Sequence, residues 1–133
     1  MRKIVLDTNI LVSAFLSPSG NPSLILNTTF DGKLLFFYTR AIFGEYEDVL
    51  MRPDFGFDRA RVRFQLDTLL EIGTENNPPK SDISLPDKSD QKFYDLARFT
   101  GAYLVTGNLK HYPNESFIIS PAKMAQKITS DLE

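Results

Sequence analysis

The chain has no cysteine and only one histidine, His111, among its 133 residues. The absence of thiols excludes disulfide frameworks, zinc sites built on thiolates and cysteine nucleophiles. No stretch approaches the roughly 18 uninterrupted apolar residues that a membrane span needs. The apolar start of the chain also ends at Asp7, too early for a signal sequence. These absences predict a cytoplasmic protein without a membrane partner.

The chain also lacks an excess of positive charge, because its formal net charge is −2. The field of the whole molecule therefore does not attract nucleic acid as that of a basic domain would. Any contact with RNA must be local, and the candidates are the cluster Arg59, Arg61 and Arg63 and the pair Lys110-His111. A solvated helix face is the simpler explanation for the arginines.

A hydrophobic content of 42% in 133 residues is enough for one buried core. Short apolar runs at residues 4–6, 34–38, 103–105 and 117–119 are typical of buried strands. Helical patterns lie between them, whereas residues 74–87, with three prolines, indicate a surface loop. Alternating strands and helices predict a single three-layer α/β/α domain over residues 1–133, with a mainly parallel central sheet.

Polar residues follow two of the predicted strands, at the edge where parallel sheets bind ligands. Asp7 comes directly after the first strand, and Thr106-Gly107-Asn108 comes directly after the fourth. Asp7 also precedes a helical pattern, so it is equally suited to cap that helix by accepting backbone N–H bonds. The two roles are compatible.

Two further carboxylates lie on the predicted inner faces of helices. Glu45 falls within the apolar stripe of the helix over residues 40–51, whereas Glu47 and Asp48 point elsewhere. Asp90 lies on the inner face of the helix over residues 89–100, at its first turn. Simpler explanations remain for both residues. Glu45 could reach water from the edge of the stripe, and Asp90 could compensate the helix dipole.

Three carboxylates at one end of a sheet would repel one another unless a cation lay among them. Oxygen ligands without thiolates favour Mg²⁺ or Mn²⁺ over zinc. Such an ion keeps several waters that phosphate oxygens can replace, so the pattern predicts hydrolysis of a phosphodiester. The candidate catalytic and metal-binding residues are Asp7, Glu45 and Asp90.

The motifs around these acids resemble the PIN domain family over residues 3–121, nearly the whole chain. The resemblance is carried by four motifs in order: the opening strand with its Asp-Thr-Asn signature, a Glu-containing helix, an Asp followed by Ala and Gly, and an acidic strand end. These correspond to Asp7-Thr8-Asn9, to Glu45-Tyr46-Glu47-Asp48-Val49-Leu50, to Asp90 with Ala97 and Gly101, and to Leu104-Val105-Thr106-Gly107-Asn108.

The resemblance implies an endoribonuclease that cuts single-stranded RNA with one or two divalent ions bound by Asp7, Glu45 and Asp90. Asn9 and Thr106 would support these ligands. Asn108 stands where many relatives have an aspartate, so the chain departs from the four-acid pattern there. The end of the fourth motif resembles toxins of toxin–antitoxin pairs, which implies RNA, a cognate antitoxin and a homodimer as candidate partners.

Two other functions are compatible with parts of the pattern. A haloacid-dehalogenase-like phosphatase also begins with a strand that ends in Asp, but its general acid would have to occupy the position of Asn9. A non-catalytic PIN-like module that binds RNA or protein is compatible with Asn108. Retention of the other three acids favours the enzyme.

Overall fold

A computed structural model describes residues 1–132. The strands are β1 (Arg2–Leu6), β2 (Leu34–Tyr38), β3 (Thr74–Glu75), β4 (Tyr103–Val105) and β5 (Ile118–Ile119). The helices are α1 (Thr8–Leu16), α2 (Asn21–Phe30), α3 (Arg40–Leu50), α4 (Arg59–Ile72), α5 (Lys88–Thr100) and α6 (Pro121–Asp131), with a 3₁₀ turn at Leu109–His111.

The strands form one sheet in the order β3-β2-β1-β4-β5, and every pair is parallel. This arrangement confirms the predicted α/β class with its parallel sheet. The prediction of a loop over residues 74–87 is wrong at its start, where the two-residue strand β3 pairs with the end of β2. Both residues of β3 are exposed, so no apolar run marked this edge strand in the sequence.

Local signals explain where most helices begin. The side chains of Thr39, Asp58, Asp87 and Ser120 each accept a backbone N–H bond at the start of a helix. The predicted caps Thr39 and Asp58 are therefore confirmed. Helix α5 begins one residue earlier than predicted, because Asp87 rather than Lys88 occupies the capping position.

The core lies between the sheet and its helices, and the central strands β1 and β4 are its most deeply buried part. Among residues 1–132, no helix has the length and apolar character needed to cross a membrane. The carboxyl ends of β1, β2 and β4 meet at one edge of the sheet, where α1, α3 and the segment after β4 begin. This edge carries the candidate active site.

Candidate active site

Asp7 lies at the end of β1, where its side chain is almost completely buried, with 7% of the residue exposed. Its Oδ2 accepts hydrogen bonds from Thr106 Oγ1 at 2.8 Å and from the Tyr112 hydroxyl at 3.0 Å. Asp7 occupies the capping position of α1, but its side chain makes no capping bond there. The prediction that the Asp7 side chain caps α1 by accepting backbone N–H bonds is therefore wrong. Its carboxylate is directed into the candidate site instead.

Burial raises the pKa of Asp7, because a carboxylate loses hydration there, while the bonds from Thr106 and Tyr112 act against that rise. The charge of Glu45 raises the pKa of Asp7 further. Burial and the nearby carboxylates also raise the pKa of Tyr112, which keeps this phenol protonated and able to donate. The neighbourhood of Asp7 is thus one in which negative charge is incompletely balanced.

Tyr112→Phe is expected to destabilise the metal-free protein by about 2 kcal/mol at neutral pH, because it removes a hydrogen bond to a buried, charged acceptor. The loss should shrink as the pH falls through the raised pKa of Asp7, since a neutral carboxyl needs that donor less. Urea unfolding across this pH range measures both effects.

The control for this prediction is Tyr94→Phe, which removes a phenol that donates to Glu115. It should leave the pKa of Asp7 unchanged, because Tyr94 makes no bond to that carboxylate. A Tyr112→Phe protein with the same Asp7 pKa as the wild type would contradict the role assigned to Tyr112.

Glu45 lies at the edge of the buried face of α3, with its side chain 27% exposed. One carboxylate oxygen accepts a hydrogen bond from Thr8 Oγ1, and the other lies 2.7 Å from Lys92 Nζ on α5. Glu47 instead contacts Arg63 at 2.8 Å, and Asp48 is largely exposed. The predicted difference in direction between Glu45 and its two acidic neighbours is confirmed, although Glu45 is less buried than expected.

Asp90 projects inward from the first turn of α5 and is 8% exposed. Its Oδ2 is completely buried and has no hydrogen-bond partner among the described residues. The imidazole of His111 is close by, with its Nδ1 3.7 Å from that oxygen. Burial raises the pKa of Asp90, the charges of Asp87 and Asp7 raise it further, and His111 and Lys92 oppose the shift.

The supporting residues hold the loop after β4 against the start of α1. Asn9 Oδ1 accepts the backbone N–H of Gly107 at 3.0 Å, and Thr106 Oγ1 accepts that of Asn108 at 3.0 Å. A Cβ on Gly107 would lie 3.2 Å from Asn9 Oδ1, so a larger residue would crowd this bond. The side chain of Asn108 is exposed, and it makes no hydrogen bond within residues 1–132.

Thr8, Lys92 and Tyr112 contact the predicted acids but were not predicted as site residues. Thr8 belongs to the Asp-Thr-Asn signature, so its position was a usable signal. Lys92 follows Asp90 by two residues and approaches Glu45 only because α3 and α5 pack together. Nothing in the sequence pairs Tyr112 with Asp7, which lies 105 residues away.

Of the predicted basic cluster, two arginines contact other parts of the protein. Arg63 pairs with Glu47 and Asp67, and Arg61 lies 4.4 Å above the ring of Phe15. Those contacts favour the structural interpretation of the arginine cluster over a site for RNA.

The donor set at this edge fits a hard divalent cation. Asp90 presents a buried oxygen without a donor among the described residues, and burial, followed by the charges of Asp87 and Asp7, raises the pKa of Asp90. Within residues 1–132, however, no three acidic or histidine side chains converge closely enough to form a finished metal site. Glu45 is directed to Lys92 and Thr8, so it would have to turn to join the two aspartates.

Comparison with known proteins agrees with this geometry. The sequence matches the model of the PIN domain family over residues 3–110, a range that includes Asp7, Glu45 and Asp90. It is also similar to an uncharacterized protein of Methanocaldococcus jannaschii, with 27% identity over 109 residues that cover 80% of this chain and 70% of the relative. The chain therefore belongs to the PIN domain family, whose members are generally metal-dependent nucleases.

Proposed function

We propose that the protein is an endoribonuclease that hydrolyses single-stranded RNA with Mg²⁺ or Mn²⁺ held by Asp7, Glu45 and Asp90. The observation that carries the proposal is the buried Oδ2 of Asp90, which has no donor among the described residues. A buried carboxylate oxygen without a partner is expensive, and a cation offsets that cost. Asp7 lies in the same cluster: burial raises the pKa of both aspartates, and the charge of Asp7 adds to the rise at Asp90.

The residues around the ligands have distinct tasks in this proposal. Thr106 and Tyr112 hold Oδ2 of Asp7 in one orientation, which leaves Oδ1 for a cation. Thr8 and Lys92 hold Glu45 at the edge of the site, from which it would have to turn to join the two aspartates. If Glu45 turned to hold a cation with the two aspartates, the ammonium group of Lys92 would be available to a phosphate oxygen of the substrate. A bound Mg²⁺ or Mn²⁺ supplies an activated water and neutralises phosphate charge.

Asn108 gives the site one carboxylate fewer than the four-acid pattern. Its exposed amide provides an oxygen and two N–H donors beside the start of the 3₁₀ turn. In the proposal this side chain would contact the substrate rather than hold the cation. The single histidine, His111, lies beside Asp90. In the proposal its imidazole would contact the substrate phosphate that Lys92 also contacts.

The proposal is tested by incubating the purified protein with labelled single-stranded RNA in Mg²⁺, in Mn²⁺ and in excess EDTA. Cleavage is expected in the first two conditions and not in the third. The nucleophile in the proposed reaction is a water that the cation activates, and EDTA removes that cation. Cleavage that persists in EDTA would contradict the metal-dependent reaction. Absence of cleavage with either metal, across several RNA sequences, would favour a binding module.

A binding module without catalysis is the second candidate, and the ion pair between Glu45 and Lys92 favours it. If Lys92 stayed paired with Glu45, that carboxylate could not serve as a metal ligand, and the site would lack one of its three acids. Metal binding by Lys92→Met compared with the wild type separates the two candidates. If the protein is the enzyme, the ion pair between Glu45 and Lys92 breaks at little cost. The metal affinity of Lys92→Met should then be only modestly higher than that of the wild type. In the module, metal binding appears only in the variant.

The finer biological role that we propose is that of the toxin in a toxin–antitoxin pair, with RNA as target and an antitoxin protein as partner. The similarity of the segment from Thr106 to Pro113 to such toxins supports this role. Expression in a bacterial host tests it: growth should stop with the wild type and continue with Glu45→Gln. Normal growth with wild-type protein that is active on RNA in vitro would contradict the toxin role.

A further inference from the structure

A groove of about 830 Å³ lies beside the carboxylates, between the N-terminal parts of α3 and α5 and the segment after β3. Helix α3 carries Glu45 and α5 carries Asp90, so the same two helices form both the groove and the site. Lys92 belongs to both, since it lines the groove and its Nζ contacts Glu45 at 2.7 Å. The groove therefore adjoins the candidate active site at Lys92.

The groove is positively charged although the chain as a whole is negative. Its lining contains four cations against two carboxylates, namely Arg40, Lys80, Lys88 and Lys92 against Glu75 and Asp95. The formal net charge of the chain is −2. Such a local reversal of sign attracts an anionic ligand to this one surface.

Three of these cations make no ion pair with the residues that the structure describes. Arg40, Lys80 and Lys88 are exposed, and none forms an ion pair with another described residue. Arg40 and Lys88 are the first residues of α3 and α5, where positive charge opposes the helix dipole. Helix stability therefore does not explain these charges, whereas an anion in the groove does.

The rest of the lining has the chemistry to hold a nucleotide chain. The side chains of Asn76, Asn77 and Ser84 make no hydrogen bond within residues 1–132 and remain available to sugar or base edges. Leu85 and Pro78 add apolar surface. Among residues 1–132, no aromatic side chain lines the groove, so these residues do not hold bases there by stacking. These features favour contacts to the phosphate backbone, with little selection of sequence.

We infer that this groove binds the single-stranded RNA segment next to the phosphate that is cut, with Arg40, Lys80 and Lys88 on its backbone phosphates. The inference rests on the proposed function, because it takes RNA as the substrate. Single-stranded RNA fits better than a duplex, since its unpaired base edges can reach the free amides. Lys92 then marks the point where the strand passes from the groove to the carboxylates.

The test compares two triple variants that remove the same charge. The groove variant is Arg40→Gln with Lys80→Gln and Lys88→Gln. The control is Lys3→Gln with Lys33→Gln and Lys123→Gln, which alters exposed cations outside the groove that also lack ion pairs among the described residues. Binding of a labelled oligouridylate is measured by fluorescence anisotropy in EDTA over a series of salt concentrations, so that no RNA is cut.

The groove variant should bind at least about tenfold more weakly at low salt, and its log–log salt slope should fall by about 2, which corresponds to three lost phosphate contacts. The control should change little. Equal weakening in both variants, an unchanged groove variant, or no RNA binding by the wild type would overturn the inference. So would a polyglutamate peptide that competes as well as RNA, because the groove would then take an acidic protein segment.

The two proposals fail in different ways in this experiment. Wild-type protein that binds RNA through the groove but does not cut it with Mg²⁺ or Mn²⁺ would contradict only the proposed reaction. Wild-type protein that cuts RNA, with a groove variant whose KM is unchanged, would contradict only the groove. Thermal unfolding of each triple variant confirms that its fold is retained.

Discussion

Replacing Glu45 with glutamine is expected to reduce RNA cleavage at least about a hundredfold, since a ligand to a catalytic cation contributes several kcal/mol to the transition state. Glutamine keeps the size of the side chain and an oxygen for Thr8, but it removes the charge that attracts a cation and Lys92. The fold should persist, because the Glu45 side chain is partly exposed. Initial rates with saturating Mn²⁺ measure the effect.

The matched control is Glu47→Gln, which makes the same chemical change two residues along the same helix. Glu47 contacts Arg63 on α4, away from the aspartates, and an exposed pair of this kind is worth little. Its cleavage rate should stay within about twofold of the wild type. Similar losses in both variants would show that the effect comes from α3 as a whole and not from the carboxylate of Glu45.

Asp90→Asn is expected to stabilise the metal-free protein by about 1 kcal/mol while it abolishes cleavage. The gain arises because a buried carboxylate oxygen without a donor is replaced by a neutral amide, whose burial costs less than that of a charge. A stabilising change that removes activity is typical of a group retained for function. Urea unfolding in EDTA measures the difference in the free energy of unfolding.

The pH dependence of that difference has a definite sign. The pKa of Asp90 is raised in the folded state above its ordinary value of 3.8. Stability linked to its protonation is therefore present below the ordinary pKa and is lost as the pH rises through the raised value. The advantage of Asp90→Asn should be largest at neutral pH and smallest in acid. If the stability gain of Asp90→Asn instead grew toward acid pH, the buried charge of Asp90 could not be its cause.

The sequence predicted the sheet well because its central strands are continuous apolar runs, and burial on both faces requires such runs. Strand β3 lacked that signal, since it is exposed and only two residues long. Its pairing depends on the end of β2 lying beside it. This pairing is a tertiary contact, so no local pattern within residues 74–87 could predict it.

The positions of the three acids in the fold were predictable for a similar reason, since Asp7 follows a strand end and Glu45 and Asp90 lie toward the inner faces of helices. Their partners were not. The direction of the Asp7 side chain depends on Thr106 and Tyr112, which reach it from the far end of the chain. The contact between Glu45 and Lys92 depends on how closely α3 and α5 pack. Periodicity gives the face of a helix but not the distance to its neighbour.

Calorimetric titration with Mn²⁺ tests most directly whether these carboxylates hold the cation. The wild type is compared with Asp90→Asn and with Asp95→Asn, a control that lies on the same helix and is equally buried, but whose carboxylate already accepts a hydrogen bond from Gln91. Saturable binding is expected in the wild type and in Asp95→Asn, with at least about tenfold weaker binding in Asp90→Asn. Absence of Mn²⁺ binding by the wild type, or equal affinity in all three proteins, would contradict the proposed metal site.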